Sequence, residues 1–341
     1  MTFGQHTKKE ILTQTEAWVG AIDEIVLKKQ KILNINFSAY DQVIFTGCGS
    51  TYYLSLAAAA LFQKQTGIIC KAIPGGELLI NPKLAYSNSN NLLVAISRSG
   101  TTTETIEAVQ QFKSNKGGKV ITISNYDNQP LTELSDLDIC IAAGQETSVA
   151  QTRSFSSMFV ASTALAMIAS YKMDLFDLMR KLPEIGEKLI EDYHKYARES
   201  GENLNFDRFF YLGNGCRYGI ACEANLKMKE MTQTHTEPYH FLEFRHGPKS
   251  MINEQSVVIG LLSTKARAYE EKVLEEMREL GGRTISIAEN DADISFNSGL
   301  PEEIRTVLYL PVLQLMAFYR SMKKGLNPDK PKNLSSVVTL K

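Results

Sequence analysis

Asn91-Leu-Leu-Val-Ala-Ile-Ser97-Arg-Ser-Gly-Thr-Thr-Thr-Glu-Thr105 runs from apolar residues through a cluster of hydroxyls into a helical pattern. Leu92 to Ile96 has the length of a strand buried on both faces, as in a parallel sheet. Glu104, Ile106, Ala108 and Val109 then open a helix. Ser97, Ser99, Gly100, Thr101 and Thr102 therefore sit at the carboxyl end of a strand and the amino end of a helix. There the first N–H groups lack intrahelical acceptors and the helix dipole favours negative charge. A Ser/Thr helix cap is the plainer reading, favoured about two to one for a lone Ser-x-Ser-Gly. So many hydroxyls in so short a stretch shift the balance to an anion cradle, because hydroxyls grip phosphate oxygens without adding charge.

Working outward, the same order of elements occurs twice. Val43-Ile-Phe-Thr-Gly-Cys-Gly49 corresponds to Phe209-Phe-Tyr-Leu-Gly-Asn-Gly215, and Ser97 stands fifty residues after Gly47 as Ser263 stands fifty after Gly213. Each serine ends an apolar run (Leu92–Ile96; Val257–Leu262) and precedes a charged helix closed by Gly-Gly (Gly117-Gly118; Gly281-Gly282). The strands Val120–Ile123 and Thr284–Ile287 follow. Agreement in order and spacing marks a duplicated domain. The copies differ in chemistry. Ser263-Thr-Lys-Ala-Arg-Ala268 lacks the glycine and the hydroxyl cluster, so only the first copy carries the anion cradle.

Strands at Val43–Phe45, Ile68–Ala72, Leu92–Ile96, Val120–Ile123 and Asp138–Ala142 alternate with helical patterns, which predicts an α/β fold with a parallel sheet. Residues 8–34 predict one unbroken helix, and Met158–Tyr171, apolar nearly all round, a buried one. The organisation expected is a helical segment over 1–35, a first domain over 36–175, a charged helical bridge over 176–203 and a second domain over 204–341.

The 341 residues allow two ordinary domains, and a net charge of −1 gives no basis for nucleic-acid or anionic-membrane binding. No signal peptide or membrane span is expected. Five scattered cysteines without a Cys-x-x-Cys indicate neither a disulfide framework nor a zinc site, and point to a reduced, cytoplasmic protein. Gly47-Cys-Gly-Ser-Thr51 falls short of the dinucleotide fingerprint, because Tyr52 takes the third glycine position and no acidic residue ends the next strand. No nicotinamide cofactor is expected.

Glu223, Lys227 and Glu230 fall on one helix face at i, i+4 and i+7. Taken alone, a solvated Glu–Lys pair is favoured about two to one. His235, Glu237, His240, Glu243 and His246 follow within twelve residues, and a Gly-Pro pair breaks the helical pattern there. Their spacing matches no common zinc pattern. Acid–base work on a small polar substrate suits His and Glu better.

These segments, with Glu146-Thr-Ser-Val-Ala-Gln-Thr-Arg-Ser-Phe155, Leu226-Lys-Met-Lys-Glu230 and Glu243-Phe-Arg-His-Gly-Pro248, resemble the tandem sugar-isomerase (SIS) domains. Their order is that of the isomerase half of glutamine–fructose-6-phosphate aminotransferases. The resemblance implies two tandem doubly wound, flavodoxin-like domains that bind a phosphorylated sugar without metal or cofactor. It implies that Ser97, Arg98 (Gln in the aminotransferases), Ser99 and Thr102 hold the phosphate, helped by Ser50. By the same resemblance Val149, Ala150 and Gln151 are expected to line the sugar, Glu230 to carry a proton between C1 and C2, and Lys227 to be its polar neighbour. The resemblance further implies that His246 opens the sugar ring and comes from the partner subunit of a homodimer.

Two departures shape the expectation. No glutaminase half is expected, and Ser336 stands where the aminotransferases have a lysine that forms an imine with the ketose. A hydroxyl forms no imine, and Lys341 is displaced by five residues. The expectation is an amino-sugar-6-phosphate deaminase/isomerase, with the C-terminal segment closing on its site. A fructosamine-6-phosphate deglycase, a tagatose-6-phosphate ketose/aldose isomerase and a non-catalytic sugar-phosphate sensor are the alternatives.

Overall fold

The computed structural model describes residues 3–85, 90–116 and 118–337. Gly117 of the first Gly-Gly pair, Val338, Thr339 and Lys341 lie outside the described residues. The chain forms two compact units. One takes in Thr13–Glu146, Gln151–Pro183 and the described residues from Ser335; the other takes in those up to Leu12, Thr147–Ala150 and Glu184–Leu334.

The first unit is built on strands β1 (Gln42–Gly47), β2 (Ile69–Pro74), β3 (Asn91–Ser97), β4 (Val120–Ser124) and β5 (Leu137–Cys140). They are all parallel, in the order β2-β1-β3-β4-β5. The three central strands β1, β3 and β4 are buried along their whole length, which is why their sequences are continuous apolar runs rather than alternating ones. Ile44, Leu93, Ala95, Phe112, Val120 and Leu131 form a core cluster in this unit.

The second unit repeats the plan with β6 (Arg208–Leu212), β7 (His235–Tyr239), β8 (Ser256–Leu261), β9 (Arg283–Ala288) and the short β10 (Ile294–Ser295), in the order β7-β6-β8-β9-β10. Again every pairing is parallel. Phe210, Phe241, Phe244, Val258, Leu274 and Met277 pack on this sheet. The repeat inferred from residue spacing is thus a repeat of topology.

The N-terminal stretch is not one helix. It breaks at Thr13 into α1 (Gln5–Leu12) and α2 (Gln14–Leu33), which fall in different units. No proline or glycine marks the break, so periodicity carried straight across it. Helix α3 (Ser50–Thr66) follows β1 and α4 (Thr103–Lys116) follows β3. Helix α5 (Arg153–Ala169) is buried from Ser154 to Ile168, as its apolar circumference predicts, and Trp18 of α2 donates its indole N–H to Ser156 Oγ at 2.8 Å. The charged stretch after it contains α6 (Leu182–Glu202). In the second unit α7 (Cys216–Thr232), α8 (Arg267–Glu279) and the buried α9 (Leu310–Lys323) cover the sheet.

A second segment differs from its sequence pattern. In the His/Glu-rich stretch the sequence shows a helical pattern broken at Gly247-Pro248. Its first part, His235–Tyr239, is instead the edge strand β7, and only Phe241–Phe244 is helical. An edge strand exposes one side, so polar residues and even Pro238 are tolerated and the apolar signal is lost.

Candidate active site

In the first unit the connectivity reverses between β1 and β3, which are adjacent in the sheet. Crevices beyond the carboxyl ends of strands at such a reversal bind ligands in open α/β sheets. The turn after β1 holds Gly47 to Ser50, and the loop after β3 holds Arg98 to Thr102. At Gly47 a Cβ would lie 2.7 Å from the Thr51 carbonyl carbon, so the turn tolerates no side chain there. Cys48 donates its N–H to Thr51 Oγ1 at 2.9 Å, and Ser50 begins α3. Burial pushes the Cys48 thiol up, against a hydrogen bond with Thr105, so it is no ready thiolate.

The hydroxyl loop is built on itself. Gly100 donates its N–H to Ser97 Oγ at 3.1 Å and Thr101 donates to Ser99 Oγ at 3.2 Å. Ser97 Oγ lies 3.3 Å from Thr102 Oγ1. Gly100 has φ +68°, where a Cβ would also meet Gln129 at 2.6 Å. The loop therefore needs glycine at that point, and α4 opens directly behind it. Ser97 is buried, whereas Ser99, Thr101, Thr102 and Thr103 are half-buried. Half-exposed hydroxyls thus stand in front of a helix amino terminus, where unpaired N–H groups and the helix dipole favour negative charge.

Arg98, between the two serines, is buried. Its Nη1 lies 3.3 Å from Glu146 Oε1, and its Nη2 donates to the Ser336 carbonyl at 2.7 Å. Glu146 in turn accepts the Thr152 N–H at 3.0 Å, the Thr152 hydroxyl at 3.2 Å and the Ser154 hydroxyl, which fixes it at the amino end of α5. Gln151 belongs to the same unit, and its Oε1 is buried without a hydrogen-bond partner among the described residues.

The remaining predicted residues lie in the second unit. Lys227 is 1% exposed on α7, with its ammonium 2.5 Å from Glu230 Oε2 and 3.3 Å from Glu223 Oε1. A buried ammonium between two carboxylates is not the solvated pair that spacing alone favours. Glu223 is fully buried, while Glu230 keeps part of its side chain accessible. His246 follows the short helix Phe241–Phe244 and is exposed. His240, before that helix, stacks on Tyr218 with ring centroids 3.9 Å apart, and desolvation lowers its pKa.

Val149 and Ala150 are held in this unit by residues that sequence reading missed. Glu10 of α1 is buried and accepts the Thr147 N–H at 2.5 Å, the Ser148 N–H at 3.3 Å and the Ser148 hydroxyl. Asp329 accepts the N–H and hydroxyl of Thr7, each at 2.8 Å, and its carbonyl accepts the Val149 N–H at 3.0 Å. Nothing local signals these bonds, since their partners stand 137 or more residues apart.

Among the described residues no three His, Cys, Asp or Glu side chains form a group that could hold a metal ion. Among the same residues no helix is long and apolar enough to cross a membrane.

Comparison with known proteins adds the family. The SIS domain model matches residues 37–168 and 205–318. A glutamine–fructose-6-phosphate aminotransferase of Pyrococcus horikoshii is 31% identical over 346 residues, covering 97% of this chain and 57% of the relative. Its counterpart from Methanothermobacter thermautotrophicus is 28% identical, covering 97% and 55%. The chain thus spans little more than half the length of these curated relatives. Among solved structures, a glucosamine-6-phosphate deaminase from Thermotoga maritima superposes with a TM-score of 0.83 at 26% identity, covering 98% of this chain and 100% of the other. A tagatose-6-phosphate ketose/aldose isomerase from Escherichia coli shares the fold, with a TM-score of 0.86 at 22% identity and coverage of 96% and 95%.

Proposed function

The chain belongs to the SIS domain family, and from that premise we propose that it converts an amino-sugar 6-phosphate of the glucosamine 6-phosphate kind to a ketose 6-phosphate and ammonia. The observation that carries this reading is the buried couple of Lys227 and Glu230. A sensor needs a phosphate loop but no proton shuttle, and a carboxylate fixed at 2.5 Å by a buried ammonium yet still accessible suits a shuttle. The Thermotoga deaminase, matched over its whole length, supports an amino sugar as substrate.

In this scheme the hydroxyls of Ser97, Ser99 and Thr102, with Ser50, make up the phosphate site, while Arg98, which the resemblance counts among the phosphate ligands, directs its guanidinium to Glu146 and the Ser336 carbonyl. Val149, Ala150 and Gln151 line the sugar. His246, supplied by a neighbouring subunit of a homodimer, opens the ring to the free C1 aldehyde. Glu230 takes the C2 proton, leaving an enaminol, and returns a proton to C1. The C2 iminium that results adds water and releases ammonia, so one substrate and one water give one ketose phosphate and one ammonia. The nitrogen arrives with the substrate, so no protein amine is required where Ser336 stands.

An assay for ammonia over a panel of phosphorylated amino sugars and fructosamines tests the proposal. Ammonia and ketose 6-phosphate in equal amounts from glucosamine 6-phosphate are expected. Ketose–aldose interconversion without ammonia would replace it with an isomerase, and turnover of fructosamine phosphates alone with a deglycase.

A further inference from the structure

Arg98 stands inside the hydroxyl loop, yet its guanidinium is engaged elsewhere. One side faces Glu146 at 3.3 Å and the other donates to the Ser336 carbonyl at 2.7 Å. The Arg98 carbonyl accepts the Asn125 N–H at 3.0 Å. Glu146 is anchored at the amino end of α5 and its side chain is fully buried. Among the described residues, the bond to Arg98 is the one hydrogen bond joining Ser335–Val337 to the rest of the chain. The other bond there, from the Ser335 hydroxyl to the Val337 carbonyl, lies within the segment.

We propose that Arg98 is a positioning residue that ties the C-terminal segment to the hydroxyl loop, so that an anion in the loop and closure of the segment stabilise each other. A guanidinium fits this task because its planar fork serves two acceptors at fixed angles, which a lysine ammonium does not. Arg98 is flanked in the chain by Ser97 and Ser99, whose Oγ atoms accept N–H groups of the loop. An anion that orders those hydroxyls orders the Arg98 backbone between them, and with it the hold on Ser336. Linkage makes the effect reciprocal: whatever fixes the segment strengthens anion binding by the same factor. The inference rests on the phosphate reading of the loop, but not on turnover.

Two measurements separate anchor from ligand, with inorganic phosphate as probe. Lys332 is exposed, so trypsin cleavage after it reports release of the segment. Phosphate should slow this cleavage in the wild type by roughly 5-fold or more, the low end of ordinary coupling. Arg98→Met should accelerate cleavage without phosphate and abolish the protection. Arg98→Lys, which keeps the charge and loses the fork, should behave like Arg98→Met.

Phosphate affinity is then measured by calorimetry on intact protein and on protein trimmed after Lys332. Arg98→Met should weaken binding in the intact protein and leave it unchanged in the trimmed one. Equal losses in both forms would make Arg98 a direct phosphate ligand and overturn the proposal. Unaccelerated cleavage in a folded Arg98→Met variant would also overturn it, and Arg98→Gln provides the same readout should the methionine variant not fold. Absence of phosphate protection in the wild type would overturn the linkage. A protein that shows both effects but releases no ammonia would sink the deaminase reading and leave this one standing.

Discussion

The loop after β3 and the loop after β8 are the same turn put to two uses. In each, a serine at the strand end accepts the N–H three residues on: Gly100 to Ser97 at 3.1 Å, Ala266 to Ser263 at 2.9 Å. What differs is who satisfies the rest. In the second loop the chain's own Glu270 takes the Ser263 N–H at 2.5 Å, the Asn214 amide at 3.2 Å and an Arg217 N–H at 3.2 Å. Arg217 also reaches Glu302, and the whole cluster is almost fully buried. A carboxylate thus sits where the fold attracts an anion.

In the first loop Glu104 occupies the same point of the repeat, but among the described residues no carboxylate accepts from the N–H groups of Ser97 or Ser99–Thr103. Its Oε2 is buried without a hydrogen-bond partner, and its charge raises the pKa of the Cys48 thiol after burial has done so. Duplication therefore produced two anion-favouring turns. One became a structural ion cluster; the other kept hydroxyls facing outward. In the proposed scheme the proton chemistry is divided the opposite way, with the Lys227–Glu230 couple in the second unit.

The division of labour breaks most visibly at Glu230. Glu230→Gln should lower ammonia release about 10²–10⁴-fold, the usual contribution of a positioned proton carrier. It should also stop exchange of the substrate's C2 hydrogen with solvent. Phosphate-dependent binding should survive, and loss of binding in calorimetry would undo the separation of roles.

Next in size is Glu270→Ala. Removing one partner of a buried ion cluster costs about 3–5 kcal/mol, to be read from denaturant melts. Sulfate or phosphate should recover part of that loss by binding the loop the carboxylate has left. Recovery by chloride at equal ionic strength would show that the second loop is not an oxyanion turn.

Smaller effects are expected at the first loop. Ser99→Ala and Thr102→Ala should each weaken binding of a phosphorylated sugar by roughly 1–3 kcal/mol, while Ser263→Ala leaves it unchanged. Equal losses from both loops would erase the asymmetry.

The smallest effect is acid sensitivity confined to the second unit. Desolvation lowers the pKa of both His194 and His240 in the folded protein. Below the ordinary value near 6.5 the unfolded chain takes up protons before the folded one does. Stability should therefore fall as pH drops through and below 6.5, and His240→Gln should flatten part of that slope in thermal melts.

The comparison also shows what a linear reading can see. The strand-to-hydroxyl transition at Leu92–Thr102 and the fifty-residue spacing were legible because buried parallel strands write continuous apolar runs and repeats preserve distance. Both sheets followed from them. The edge strand His235–Tyr239 was not legible, because one exposed side and Pro238 remove the apolar run. Nor was the break at Thr13, which follows from α1 and α2 belonging to different units rather than from any local breaker. At the candidate site the hydroxyls and the i, i+4, i+7 face were visible, but whether the Glu–Lys face is solvated or buried depends on packing. The partners of Glu10, Glu146 and Arg98 are set by topology alone, and Arg98 meets Ser336 across 238 positions.

The bond between Thr7 and Asp329 spans 322 positions. At roughly 5–20 residues per second of synthesis, helix α1 leaves the ribosome something like a quarter of a minute to a minute before the aspartate it binds exists. The second unit is therefore completed only when nearly the whole described chain has been made. A gene split between the repeats would leave Thr7 and Glu10 on one product and Asp329 on the other, so each half would lack part of the second unit.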